Sequence, residues 1–102
     1  MTVRKETYDA FFQTELGAAL EQRGVTDVVI GGWETNVCCD STARAAFFRG
    51  FRVVFLSDGT ATSSGVDVQK STLDNMQLIA ADVMSTAALQ AELQRELHDD
   101  ES

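Results

Sequence analysis

The segment from residue 25 to residue 39 joins a β-branched run to a pair of cysteines through two glycines. It reads Val25-Thr26-Asp27-Val28-Val29-Ile30-Gly31-Gly32-Trp33-Glu34-Thr35-Asn36-Val37-Cys38-Cys39. The run over residues 25–30 is typical of a strand buried on both faces. Helical spacing of small and apolar residues then predicts a helix over Cys38–Arg49, and Gly50 ends it. Phe51–Leu56 predicts a second strand, closed by Ser57-Asp58-Gly59, so the segment forms a βαβ unit with parallel strands.

The remaining chain continues the alternation of helices and strands. Three further helices and one short strand are predicted, at Glu15–Arg23, Val66–Ala80, residues 85–97 and Val83-Met84. Thr14 and Ser85 are suited to cap the first and last of these helices. Residues 98–102 predict a frayed acidic tail. We therefore predict one α/β domain over residues 1–102.

Composition excludes several classes of function. The 102 residues include 8 Lys and Arg against 16 Asp and Glu, a formal net charge of −8. A negative surface repels phosphate backbones and anionic lipids, so we predict neither nucleic-acid nor membrane binding. There is no apolar run long enough for a membrane span and no secretory signal, and adjacent cysteines are no disulfide framework. We therefore expect a cytoplasmic protein with reduced thiols. A zinc site is disfavoured because the sequence has one histidine, His98, and no spaced cysteine pair.

Cys38 is the residue best placed for chemistry. It follows the carboxyl end of a predicted strand, where open parallel sheets bind their ligands. It also begins a predicted helix, whose unpaired N–H groups and dipole favour the nucleophilic thiolate. The alternative is that Cys38 and Cys39 are small buried hydrophobic residues, since free cysteine is often fully buried. For Cys39 we prefer burial to a role as a second nucleophile.

Three segments of the chain share the pattern of a known family. They read Lys5-Glu6-Thr7-Tyr8-Asp9-Ala10-Phe11-Phe12-Gln13-Thr14-Glu15-Leu16, then Gly32-Trp33-Glu34-Thr35-Asn36-Val37-Cys38 with Asp40-Ser41-Thr42-Ala43-Arg44, and finally Gly50 to Asp58. Together they resemble the isochorismatase-like cysteine hydrolases. That family includes nicotinamidases and the N-carbamoylsarcosine, ureidoacrylate and biuret amidohydrolases.

The resemblance assigns roles by position. Cys38 matches the family's nucleophile, and Lys5 matches the lysine that helps to hold the thiolate and the developing oxyanion. The backbone amides of Glu34 and Cys38 would form the oxyanion hole, next to a cis peptide at Trp33-Glu34. The implied reaction is hydrolysis of an amide or carbamoyl C–N bond through a thioester, without a cofactor or metal. Taken without the resemblance, Lys5 would be a solvated N-terminal lysine.

Other residues carry two interpretations each. The resemblance implies a substrate pocket at Phe11, Trp33 and Thr35. Phe11 and Phe12 are also expected as core residues that pack against the first helix, and Trp33 could instead cap the core. Asp58 reads as a turn residue that ends a strand, and Arg44 reads as a surface or interface cation. The residues alone leave these alternatives open.

The resemblance covers the C-terminal half of the family's fold, a three-layer, Rossmann-like parallel sheet. About three strands with helices would be present here, and the family's catalytic aspartate has no counterpart. We therefore expect an apolar edge at residues 28–30 and an inactive isolated chain. Either a homo-oligomer forms, or a partner chain supplies the missing N-terminal half. The alternatives are a non-catalytic α/β interaction domain and a cysteine-based redox sensor. The motif leans towards carbamoyl or ureido substrates over nicotinamide.

Overall fold

A single parallel sheet with helices between its strands organises the chain. The computed structural model describes the backbone of residues 1–101 and the side chains of residues 1–97. Within these residues the strands are β1 (Asp27–Trp33), β2 (Arg52–Ala61) and β3 (Asp82–Met84), ordered β1-β2-β3. The helices are α1 (Leu16–Gln22), α2 (Asp40–Phe48), α3 (Val66–Ile79) and α4 (Thr86–Glu101). All strand pairs are parallel, so the predicted α/β class is confirmed.

The core lies against one face of the central strand β2. Val53 and Phe55 of β2 point to this face because alternate residues of a strand share a side. Ala43 and Ala46 of α2 pack there, together with Met76 of α3, and all five side chains are buried. The small alanine side chains let α2 approach the sheet closely. Burial of a side chain the size of Phe55 contributes about 1.5–3 kcal/mol to folding.

Strand β1 is an edge strand, so the predicted burial on both of its faces is wrong. Its only neighbour among the described strands is β2, and Val29 at its centre is 49% exposed. Val28 and Ile30 pack partly against the core on the other face. The predicted exposure of an apolar edge at this strand is confirmed.

A bulge in the β1–β2 ladder makes both strands longer than predicted. Ile30 pairs with Phe55, but the next pair is Gly32 with Thr60, so residues 56–59 lie opposite Gly31. The predicted turn at residues 57–59 therefore lies inside β2, which runs on to Ala61. Glycine is required at residue 59, because a Cβ there would lie 2.9 Å from the Cβ of Leu56.

The predicted helices are found with shifted ends. Residues 35–39 form a single π-helical turn, called the π turn below, which leads directly into α2. The helix predicted to begin at Cys38 therefore begins at Thr35. The Ser85 hydroxyl accepts the Ala88 N–H and so caps α4 as predicted. α4 continues past the predicted end at Leu97 to Glu101, and the side chains of the predicted acidic tail lie outside the described residues. None of the described helices combines the length and apolar character needed to cross a membrane.

Candidate active site

A cavity of about 260 Å³ opens where β1 ends and the π turn begins. It brings together Lys5 and Cys38, which lie far apart in the sequence. The cavity is lined by Lys5, Ala10, Val29, Ile30, Gly31, Gly32, Trp33, Cys38, Cys39 and Thr42. One cation, Lys5, and two neighbouring cysteines therefore line a small space at the carboxyl end of a parallel strand, where open α/β sheets bind ligands.

The two cysteines have different surroundings. Cys38 is partly exposed, whereas Cys39 is buried in the core cluster. Burial raises the pKa of the Cys39 thiol, the neighbouring Cys38 raises it further, and the positive charge of Lys5 acts in the opposite direction. The predicted burial of Cys39 is confirmed.

The π turn wraps the backbone around Cys38. The Glu34 carbonyl accepts the N–H of Val37 at 3.2 Å and the N–H of Cys39 at 3.1 Å. Cys38 lies between these two donors. The peptide bond that enters the turn, Trp33-Glu34, is cis, as the resemblance implies.

The loop after β2 is tied to the π turn by side chains. The Glu34 carboxylate accepts the Ser63 N–H at 2.6 Å and the Ser63 hydroxyl at 3.0 Å. The Thr62 hydroxyl donates to Asn36 Oδ1 at 2.7 Å. These contacts fix the backbone beside Cys38 from the carboxyl end of the neighbouring strand.

Lys5 lies in a segment that is held by α2. Its Nζ donates to the Tyr8 carbonyl at 3.0 Å. The hydroxyl of Thr42 donates to the same carbonyl at 3.3 Å and accepts the Ala10 N–H at 3.0 Å. In the sequence, Thr42 has no predicted role beyond its place in the family pattern. Its position four residues after Cys38, on the same side of the helix, is the signal that could have identified it.

Phe11 lies in the core and not in the cavity wall. It is 3% exposed, its ring stacks on Phe51 with centroids 6.1 Å apart, and the Arg49 guanidinium lies 5.1 Å from its centroid. The structure thus bears out the alternative core interpretation of Phe11. Phe12 is 52% exposed, so its predicted core role is wrong. The chain turns between these neighbours, and only one of the two rings can face inward.

Of the other two predicted pocket residues, Trp33 lines the cavity and Thr35 does not. Trp33 is 61% exposed and lines the cavity, so it does not cap the core. Thr35 is fully buried outside the cavity wall, and its hydroxyl has no hydrogen-bond partner among the described residues. Thr35 begins the π turn, and this turn carries its side chain into the protein. The wall next to Trp33 is formed by the glycines at residues 31 and 32.

Asp58 and Arg44, for which no catalytic role was predicted, do not line the cavity. Asp58 does not end a strand, because it lies within the β2 bulge and its Oδ1 accepts the N–H and the hydroxyl of Thr86. Arg44 pairs with Asp40 one turn earlier on α2, consistent with a surface cation. In the described part of the chain, no group of three or more His, Cys, Asp or Glu side chains could hold a metal ion.

Known proteins match this chain over most of its length. The isochorismatase domain model matches residues 1–88. The chain is 47% identical over 74 residues to nicotinamidase 3 from Arabidopsis thaliana, an alignment that covers 72% of this chain and 37% of that protein. It is 36% identical over 77 residues to the ureidoacrylate amidohydrolase RutB from Variovorax paradoxus, which covers 76% of this chain and 31% of that protein.

A solved structure shares the fold. The cysteine hydrolase from Pseudomonas syringae pv. phaseolicola 1448A superposes with a TM-score of 0.85 at 30% identity. The match covers 91% of this chain and 48% of that one. The chain thus matches about a third of the length of these curated relatives and about half of the solved hydrolase. The domain match over residues 1–88, together with these identities, shows that the chain belongs to the isochorismatase family.

Proposed function

We propose that this chain contributes the thiol half of a cysteine amidohydrolase site, with Cys38 as the nucleophile. The observation that carries the proposal is the shared cavity, in which Lys5 and Cys38 meet at the carboxyl end of β1. Membership of a family that contains a nicotinamidase and a ureidoacrylate amidohydrolase gives the reaction class. Cleavage of a C–N bond next to a carbonyl is the chemistry that these names share.

The proposed reaction has two steps. The Cys38 thiolate attacks the amide or carbamoyl carbon and a C–S bond forms; the C–N bond then breaks as the nitrogen takes up one proton and leaves as ammonia or an amine. Water then attacks the thioester, a C–O bond forms, and the C–S bond breaks to return the thiol. The charge that develops on the carbonyl oxygen would be stabilised by the backbone amides of Glu34 and Cys38. The Lys5 ammonium would favour the thiolate and the same oxyanion.

The substrate is proposed to be a small amide or carbamoyl compound. A cavity of about 260 Å³ is small compared with typical ligand pockets, which range from about 300 to 1,000 Å³. The exposed face of Trp33 and the glycines at residues 31 and 32 would accommodate a flat group. The family relatives include both nicotinamide and ureidoacrylate hydrolases. We propose that the reaction takes place in the cytoplasm.

The proposed reaction also needs a base that this cavity does not contain. The described residues that line it include no aspartate, glutamate or histidine to accept the thiol proton and return it to the leaving amine. We propose that a carboxylate comes from the half of the fold that the relatives possess in addition, supplied by another chain or by the remainder of a longer protein. The exposed β1 edge is the surface on which that half would pair.

The test is ammonia release from nicotinamide and from a carbamoyl substrate. The chain is assayed alone and after addition of a polypeptide that corresponds to the N-terminal half of a full-length relative. We expect turnover only in the mixture, because only the mixture contains the base. Turnover by neither preparation, with the two halves shown to associate, would contradict the proposal.

Neighbouring cysteines provide a matched control. We expect Cys38→Ser to lower turnover of the mixture by about a thousandfold or more, as loss of a nucleophile does. Cys39→Ser should retain most of the activity, because the Cys39 thiol is buried in the core cluster. Equal losses from the two substitutions would overturn the assignment of Cys38.

A further inference from the structure

We propose that Thr42 is a positioning residue that holds the Lys5 segment, residues 5–12, against the helix that carries Cys38. The proposal rests on the proposed function, in which Lys5 acts on the Cys38 thiolate. It assigns a task to a side chain that would otherwise read as an ordinary buried helix residue. In this proposal Thr42 acts through Lys5 and not on the reacting atoms.

The Lys5 segment needs partners from outside itself. Residues 1–15 form no helix or strand, so their backbone N–H and C=O groups are not paired by regular secondary structure. The Thr42 hydroxyl supplies both kinds of partner, because it accepts the Ala10 N–H and donates to the Tyr8 carbonyl. Lys5 Nζ donates to that same carbonyl at 3.0 Å. A single oxygen atom therefore links the hydroxyl of α2 to the ammonium of Lys5.

The position of Thr42 along the helix sets what it holds together. Thr42 follows Cys38 by four residues, about one helical turn, and both side chains line the same cavity. The thiol and the contact that holds Lys5 are thus carried by one rigid element. Phe11 also anchors the segment, through its burial in the core, but it lies farther along the chain from Lys5 than Tyr8 and Ala10 do.

Comparison with Thr72 shows that Thr42 is not an ordinary helical threonine. Both residues are buried to the same extent, with 9% of their surface exposed. The Thr72 hydroxyl donates to the Val68 carbonyl one turn earlier, the usual bond of a threonine inside a helix. The bonds of the Thr42 hydroxyl instead cross to residues more than thirty positions away. Thr72 is therefore the matched control.

The first measurement is hydrogen exchange in the segment over residues 5–12. Thr42→Val keeps the side-chain shape and removes both bonds, so we expect exchange there to rise by about tenfold. Thr42→Ser keeps the hydroxyl and should restore protection. Thr72→Val should leave exchange in this segment unchanged. Unchanged exchange in a folded Thr42→Val chain would overturn the proposal.

The second measurement is the rate at which iodoacetamide alkylates Cys38 at pH 7, resolved from Cys39 by peptide mass. We expect Thr42→Val to slow alkylation by about threefold, and Thr42→Ser to restore it, because a displaced Lys5 stabilises the thiolate less. On a Lys5→Gln background, Thr42→Val should have no further effect. An equal slowing on both backgrounds would mean that Thr42 acts on the fold and not through Lys5. Failure of the proposed function would give a different result: no ammonia release from the mixture of the two halves, with the expected alkylation rates of the Thr42 and Lys5 variants unchanged.

Discussion

At the scale of single residues, the two adjacent cysteines show how neighbours acquire different chemistry. Cys38 faces the cavity with Lys5, and Cys39 packs into the core cluster. Burial raises the pKa of the Cys39 thiol, so this residue holds its proton where a reactive thiol would lose it. Both side chains border the cavity, and only that of Cys39 is also packed into the core cluster.

Asp58 gives a prediction on pH dependence. Thr86 donates its N–H and its hydroxyl to Oδ1 of this carboxylate, both at 2.8 Å, and these bonds lower the pKa of Asp58. A lowered folded-state pKa contributes stability that is present above the unfolded value and lost as the pH falls through the folded value. We expect the melting temperature of the wild type to exceed that of Asp58→Asn at pH 6, and the gap to narrow as the pH falls below about 4.

Asp58→Ala is the companion variant. It removes the acceptor of the Thr86 N–H as well as the charge, so it should melt below Asp58→Asn at both pH values. The melting-temperature gap between the wild type and Asp58→Asn could instead stay constant from pH 6 to pH 3. That result would contradict the statement that the two bonds from Thr86 lower the pKa of Asp58.

At the scale of elements, one arginine joins the beginnings of all three described strands. Arg52, at the start of β2, contacts Asp27 at 3.4 Å and Asp82 at 3.0 Å, which begin β1 and β3. It also contacts Glu92 of α4 at 2.8 Å. These carboxylates raise the pKa of the Arg52 guanidinium, with the Glu92 bond as the largest cause. Without the arginine, three carboxylates would face one another.

We expect Arg52→Met to lower the free energy of unfolding by about 1 kcal/mol, because it removes a network and not a single pair. The matched control is Lys70→Met, which breaks the single exposed pair between Lys70 and Asp74. Urea denaturation at low salt should show the larger loss for Arg52→Met. The difference should shrink in 1 M NaCl, since salt screens these partly exposed charges. Equal losses for the two variants would contradict the role of the network.

The elements also show how far local pattern carries a prediction. The order and class of the strands and most helix limits follow from short-range signals, such as the β-branched run over residues 25–30 and the Ser85 cap. The bulge at residues 56–59 could not be predicted in this way. Ser57-Asp58-Gly59 has the composition of a turn, and the same composition suits a turn after the strand or a bulge within it. The pairing of Gly32 with Thr60 makes these residues a bulge, because it continues the ladder beyond them. This pairing is a contact between distant segments, which a local pattern does not specify.

The candidate site likewise has features that the sequence predicts and features that depend on distant contacts. The position of Cys38 after a strand is visible in the sequence, and the family pattern adds Lys5. The inward direction of Phe11 and Thr35 depends on how the chain turns at each residue, which composition does not specify. The role of Thr42 depends on a hydrogen bond to a segment without regular structure.

At the scale of the whole molecule, the open edge of β1 predicts self-association. A long unpaired edge with an exposed apolar side chain, Val29, is a template for another strand. We expect the isolated chain to associate in sedimentation experiments at micromolar concentration, and Val29→Lys to reduce this, because a lysine on an edge strand disfavours pairing. Phe48→Lys is the control, since Phe48 is 80% exposed on α2, outside the sheet. A larger effect of Phe48→Lys would move the interface from the sheet edge to the helix.

The four-residue interval between Cys38 and Thr42 constrains the length of this part of the chain. Each residue added to a helix advances it by 1.5 Å and turns it by about 100°, so an insertion or deletion within the interval would point the two side chains in different directions. The irregular connection before β1 has no such periodicity and can change length at little cost. Homologous chains that keep both side chains in use should therefore vary in loop length around residues 23–26 and keep the spacing from 38 to 42 constant.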